Sequence, residues 1–309
     1  MQAPTRPTQR TRTSSRPWRA FWFAGALAAA IALLTLTPLG TYAGNWLTIF
    51  EPKHFVGVTL SQADIHDLGG IARLQRYGTL REISRPHALE VSGKSAAAAR
   101  SRLSLRLPAS LPDNVPHQAR YEVISRGSAD FTFNAARAKR SGTAPAMPAQ
   151  VDGTTLQLTV GPAVVATFGD QRALHAYERK HVKGYGPSAS LSGAMPPALV
   201  VAQAPTPRLT SDKASVQDVI EYLAAQRGVP ARVAAQIKAI SDPASTLPLP
   251  IPVNRANADS VRVQGVDGLA IGDNTGVGSG VVWQKDGIVY AVAGSLPMTQ
   301  ILDIANSLR

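Results

Sequence analysis

The densest group of titratable side chains in this chain is Asp64-Ile65-His66-Asp67. Two carboxylates at i, i+3 share a helix face and could serve a metal ion or acid–base chemistry, although the histidine between them points elsewhere. An exposed polar turn explains the same residues. His175 and His181 are six positions apart, the wrong spacing for a helical ligand pair, and Arg172, Arg179, Lys180 and Lys183 around them disfavour a cation. That stretch reads as a basic, solvated face, with an anion or lipid headgroup as its candidate ligand. Trp283 and Tyr290 are aromatic candidates for lining a ligand groove, core packing being the competing reading.

Two glycine-rich stretches invite phosphate or calcium chemistry. Gly276-Val277-Gly278-Ser279-Gly280 opens like a dinucleotide fingerprint, but a strand follows it where the pyrophosphate needs a helix N-terminus. Gly272-Asp273-Asn274-Thr275-Gly276 offers oxygens without the further carboxylates of a calcium loop, and reads as a tight turn. There is no G-x-S-x-G elbow, H-E-x-x-H or P-loop. The chain has no cysteine, which excludes disulfides, thiolate zinc sites, a catalytic thiol and a lipidated N-terminal cysteine. We therefore expect no catalytic, cofactor-binding or metal residues and no cofactor. The binding candidates are Trp283, Tyr290, Arg172, Arg179, Lys180 and Lys183.

The elements that must position these residues are mostly short. LSLRL (103–107) alternates leucine with polar residues, the period-2 pattern of a half-buried strand ended by Pro108. YEVIS (121–125) and DFTFN (130–134) read as strands joined by a turn at Arg126-Gly127. TLQLTV (155–160) and AVVATF (163–168) read as a pair joined at Gly161-Pro162. Residues 61–81 mix short helical turns around Gly69-Gly70, 184–197 form a loop, and ALVVAQA (198–204) is a further strand. Ser215 with Asp218 opens a helix carrying Val216, Val219, Ile220 and Leu223. Gly228 stops it and Pro230 starts a second. The alternate prolines of 247–252 demand an extended chain outside any sheet interior. GVVWQ (280–284), a Lys285-Asp286-Gly287 turn and IVYAVAG (288–294) form a hairpin, and a last helix from about Pro297 packs across the sheet. Hairpins with segregated helices point to an α+β fold.

Location is more legible than chemistry. Ala20–Phe50 carries no formal charge over 31 residues, behind a leader (1–19) whose only charges are five arginines. Residues 20–43 reach about 36 Å as a helix, enough for a hydrocarbon core of about 30 Å. The arginines keep the leader cytoplasmic, and Trp18, Trp22, Tyr42 and Trp46 suit the two interfaces. A cleaved signal peptide, cut before Gly44, is the alternative; Pro38 and Gly40 suit it, the length of the apolar stretch does not. Either way residues 50–309 lie outside the cytoplasm. The net charge is +12; without the leader's five arginines, 27 basic residues face 20 acidic ones. A scattered excess of this size suits solubility or an approach to anionic lipid; with the exterior location it makes nucleic acid a poor partner, and none is expected.

At the C-terminus, GLAIGDNTGVGSGVVWQKDGIVYAVAGSLPMTQILDIANSLR (268–309) resembles an uncharacterised extracytoplasmic domain of bacterial membrane proteins. It shares a Trp-bearing strand, an acidic-Gly turn, a Tyr-bearing strand, a glycine and a closing helix. LPASLPD (107–113) looks like that family's entry strand, and NWLTIFEPKHFVGV (45–58) is similar to the segment after its span. The resemblance implies a fold akin to lipoprotein carriers and periplasmic envelope-stress sensors, often found in anti-sigma-factor-like proteins, and a sensing or ligand-binding role. The zinc-binding anti-sigma module, with its His and two Cys, is absent, and the short leader does not replace it.

The expected organisation is a disordered basic cytoplasmic leader (1–19), a transmembrane helix or uncleaved signal anchor (20–43), a juxtamembrane region (44–101) and an extracytoplasmic α+β domain (102–309) of curved antiparallel sheet with packed helices. The expected function is non-catalytic: a single-pass membrane protein, held in the lipid bilayer by residues 20–43, that senses or binds an envelope protein or lipid ligand on a concave apolar face. The alternative is a released carrier for an apolar or anionic ligand.

Overall fold

Breaks in mid-strand, rather than hairpin turns, set the architecture. A computed structural model describes residues 47–61, 63–64, 74–170, 173, 198–253, 256–273 and 278–309. It begins with β1 (Leu47–Phe50) and β2 (His54–Leu60). Four stretches of chain then each run as one strand, break for two or three residues, and continue as another. β3 (Gly78–Ser84) leads into β4 (Ala88–Val91), and β5 (Ala119–Ile124) into β6 (Gly127–Phe133). β7 (Thr155–Val160) leads into β8 (Ala163–Gly169), and β9 (Ala198–Pro205) into β10 (Arg208–Ser211). The two halves keep the same neighbours in different sheets. β10-β7-β6-β3, extended by β1, form a five-stranded sheet; β9-β8-β5-β4 belong to an eight-stranded one.

The rest of the larger sheet is an antiparallel meander of β12 (Ala256–Val263), β13 (Val266–Asp273), β14 (Ser279–Lys285) and β15 (Ile288–Gly294), with β15 against β9. β11 (Thr246–Pro252) pairs in parallel with β2 as a separate ribbon. Its Pro248, Pro250 and Pro252 cannot donate to a ladder, so they leave the outer edge without donors, a guard against further pairing. Five helices complete the described chain: α1 (Gly93–Ser101), α2 (Ala135–Arg140), α3 (Val216–Ala224), α4 (Ala231–Lys238) and α5 (Met298–Ser307).

This corrects the α+β expectation. Strand makes up 43% of the described residues and helix 21%, so the molecule is mainly β, with open sheets. The helices are also not segregated, since they lie on different sheets. The misreading has a local cause. YEVIS and DFTFN do not form a hairpin, and neither do TLQLTV and AVVATF: β5 pairs with β4 and β8, while β6 pairs with β3 and β7. Arg126-Gly127 and Gly161-Pro162 interrupt the ladder without reversing the chain, because the neighbouring strands break at the same level. LSLRL is a second correction. Its alternation is real, with Leu105 buried, but no strand pairs with it. LPASLPD likewise forms no strand. Residues 78–81, read as the end of a stretch of short helical turns, belong to β3. Among the described residues no helix is long and apolar enough to cross a membrane; the expected span at 20–43 lies outside them.

Other expectations hold. Ser215 and Asp218 form a reciprocal capping box on α3. The Asp286-Gly287 turn has positive φ at both residues (53° and 75°), as a two-residue hairpin of the right-handed twist requires. Gln264-Gly265 repeats it between β12 and β13 (48° and 83°).

The main core fills one face of the eight-stranded sheet. Tyr121, Val123, Val164, Phe168, Val201, Val281, Trp283, Tyr290 and Val292 pack under α5 (Ile301, Ile304, Ala305), α1 (Ala97) and the irregular segment 102–118 (Leu105, Val115). The β2–β11 ribbon covers part of the opposite face through Leu249, Ile251 and Phe55. The five-stranded sheet packs Phe133 and Leu156 against Val219 and Tyr222 of α3. Residues 44–101 and 102–309 are joined by four strand pairings, β1–β10, β2–β11, β3–β6 and β4–β5.

Candidate functional site

Trp283 and Tyr290 face each other across β14 and β15, their rings stacked at 5.4 Å and 18°. Both sit in the core, 0% and 3% exposed. Gly268 lies opposite Trp283 on β13, where a Cβ would come within 3.2 Å of the Trp283 Cβ, so the glycine makes room for the indole. The Arg106 guanidinium stands 5.7 Å from the Tyr290 centroid, a cation–π contact. Burial pushes the Tyr290 hydroxyl up in pKa, against the pull of Arg106. The apolar face on which a ligand was expected is thus covered by this chain's own α1, α5 and segment 102–118.

Holding that cover down is Gln203, 2% exposed on β9. Its amide donates to the Arg106 carbonyl at 2.7 Å and accepts the Arg106 N–H at 2.9 Å. Leu107 and Arg309 exchange backbone N–H···O bonds at 3.0 and 3.1 Å. The Gln203 amide and the Arg309 backbone therefore do for Arg106 and Leu107 what a strand partner would. Sequence spacing gives no sign of this, since Gln203 and Arg106 are 97 positions apart.

The acidic cluster has a structural role at its described member. Asp64 accepts the Ser61 N–H and pairs with Arg232 of α4, while Arg232 also donates to the Thr59 carbonyl and hydroxyl. The Ser61 N–H and hydroxyl, with Arg232 behind them, hold the Asp64 carboxyl below the usual carboxylate range. His66 and Asp67 lie outside the described residues. So do Arg172, Arg179, Lys180, Lys183, His175 and His181, and residues 274–277 of the two glycine-rich stretches. Among the described residues no three His, Asp or Glu side chains group to hold a metal.

Two constellations emerge that sequence reading missed. At the strand breaks, the Ser125 Oγ is 2.8 Å from His87 Nδ1, a Ser–His contact of the kind nucleophilic catalysis uses. The same oxygen accepts the His87 backbone N–H at 3.0 Å, and Ser125 N–H donates to the His87 carbonyl. The pair thus stitches the interrupted ladder between β3–β4 and β5–β6.

The second constellation is a polar row across the five-stranded sheet. Arg81 on β3 faces Asp130 on β6, Asp130 faces Gln157 on β7, and Gln157 faces Thr210 on β10. Period-2 alternation puts Ser128, Thr132, Thr155, Thr159 and Arg208 on the same side. Phe131, Phe133, Leu156 and Leu209 point the other way, toward α3. Arg81 and Arg208 on this face are exposed, and Ser128, Thr132, Thr155, Gln157, Thr159 and Thr210 are half-buried. At its centre Asp130 is 7% exposed and accepts one bond, from Gln157 Nε2 at 3.1 Å. Burial raises its pKa, the Gln157 bond and Arg81 opposing. Thr132 and Thr155 hydroxyls bond each other at 3.0 Å. Hydroxyls, an amide, guanidinium groups and a carboxylate that resists ionisation form a surface that can donate and accept hydrogen bonds over four strands.

No family model, no curated protein and no solved structure matches this chain.

Proposed function

We propose that this chain is a single-span envelope protein, anchored by residues 20–43, whose outward β domain binds a polar envelope ligand or partner without chemistry of its own. The face used is the one carrying Arg81, Asp130, Gln157 and Thr210. The observation that supports this reading is the contrast between the two sides of one sheet: α3 packs one, and the other presents hydrogen-bonding groups in register across four strands. The bilayer anchor rests on the uncharged stretch behind the arginine leader.

Carbonate extraction of the full chain, with the mass of the mature N-terminus, tests the anchor. Retention in the pellet at full mass supports it; a soluble chain beginning near Gly44 overturns it in favour of a released carrier. A photo-crosslinking residue at Gln157, compared with one at Gln217 on the outer side of α3, tests the face. Adducts specific to position 157 are expected, and equal yields at both positions would refute the assignment.

A further inference from the structure

The end of the five-stranded sheet from which β1 emerges also carries an exposed basic helix. Leu47, the first residue of β1, pairs with Ser211, the last of β10. At that same end β6 finishes at Phe133, opposite Gly78, and β7 begins at Thr155. Directly beyond β6 comes α2, capped by Asn134 Oδ1 on the Arg137 N–H and by Asp152 Oδ1 on the Ala135 N–H. Residues 134–150 hold Arg137, Lys139 and Arg140 and no acidic residue. Only Ala138 of this helix is buried, so all three bases are exposed.

Further bases gather there. The Arg137 Nε donates to the Gln75 carbonyl, beside exposed Arg76, and the Arg227 N–H donates to the Ala144 carbonyl. Asp152, Asp212 and Asp218 also lie at this end, accepting the N–H groups of Ala135, Thr155 and Ser215, so the basic excess is that of α2 and its own stretch 134–150. Glu221 accepts from Gln217 on α3. Four steps of extended chain separate Ala43 from Leu47, about 14 Å at most. β6 lies three strand spacings from β1, again about 14 Å.

We infer that this end of the five-stranded sheet rests on the anionic headgroups of the bilayer that holds residues 20–43, with Lys139 and Arg140 as its principal contacts. The inference rests on the anchor reading. Because Leu47 is tied to its sheet edge by β10, a short link to the bilayer brings this end of the sheet to the headgroups and sets the far end of the eight-stranded sheet away from them. Charged side chains within a Debye length, about 8–10 Å, gain on the order of five-fold in partition each from an anionic surface.

The absence of cysteine makes the test direct. The full chain carrying Ser141→Cys just beyond α2, or Thr299→Cys at the start of α5, is labelled with a fluorophore. It is reconstituted in phosphatidylcholine vesicles with or without about 30% phosphatidylglycerol, in which some headgroups carry a quencher. Strong quenching at position 141 and little at 299 is expected with phosphatidylglycerol. Lys139→Gln with Arg140→Gln, both exposed and outside any core, should weaken it on the order of ten-fold, as should about 0.5 M salt. Equal quenching at the two positions, or quenching at 141 insensitive to charge and salt, overturns the inference while the anchor stands. Loss of the labelled chain from the vesicles on carbonate washing would overturn the anchor reading, and the inference with it.

Discussion

Two buried polar side chains carry much of what distinguishes this protein from a generic β domain. Gln203 satisfies both backbone groups of Arg106 inside the core boundary. Gln203→Leu keeps the volume and leaves an N–H and a C=O without partners, so it should cost about 2–4 kcal/mol. Gln236 clasps Thr59 in the same way, with bonds of 2.9 and 3.2 Å, on a half-exposed strand edge where water replaces the amide. Gln236→Leu should therefore cost below about 1 kcal/mol. Urea midpoints of the two variants compare these directly, and equal losses would contradict the argument. Asp130 makes the opposite contribution. Its carboxyl has a folded pKa raised by burial, so the folded state binds the proton more tightly and stability falls as pH rises from the ordinary carboxylate value through the raised one. Asp130→Asn should raise Tm relative to the parent at pH 7 and do so much less at pH 4. A difference independent of pH would show that desolvation of the carboxylate is not the cause.

At the scale of elements, the strand breaks are the feature with most consequence. Gly127 opens β6 where a Cβ would run into the Pro86 ring, 2.7 Å from Cδ. Gly127→Ala should cost about 1–3 kcal/mol, the usual penalty for overpacking. Pro86→Ala in the same chain should recover most of it, since it removes the atoms that collide. A double-mutant cycle with no coupling energy would refute the contact. The breaks also show why part of the fold was legible and part was not. The Asp286-Gly287 hairpin, the Ser215–Asp218 cap and the α5 stripe each depend on residues within a few positions of one another. Gly161-Pro162 depends on whether the strand beside it breaks too, which no local pattern states. The polar row from Arg81 to Thr210 was hidden for a related reason, because its members come from four strands spread over 130 positions and only register aligns them.

For the whole molecule, four chain segments shared by both sheets imply one cooperative unit. Unfolding either sheet alone would strand half of β3–β4, β5–β6, β7–β8 and β9–β10 without partners. Denaturation followed by the near-ultraviolet signal of the Trp283–Tyr290 stack and by far-ultraviolet circular dichroism should give coincident transitions. Separated midpoints would mean the sheets fold independently.

By itself the sequence determined an uncharged stretch behind five arginines, the absence of thiol chemistry, the C-terminal hairpin and the Ser215–Asp218 cap. All of these follow from composition or from contacts within about a turn of chain. Tertiary structure alone decided that the molecule is mainly β and that Trp283 and Tyr290 are core. It also decided that LSLRL is held by Gln203 and the Arg309 backbone, and that one face of the smaller sheet is polar, with Arg81 and Arg208 exposed on it. Those outcomes depend on which strand lies beside which, and pairing between distant segments is set by the free energy of the assembled sheets rather than by any local run of residues.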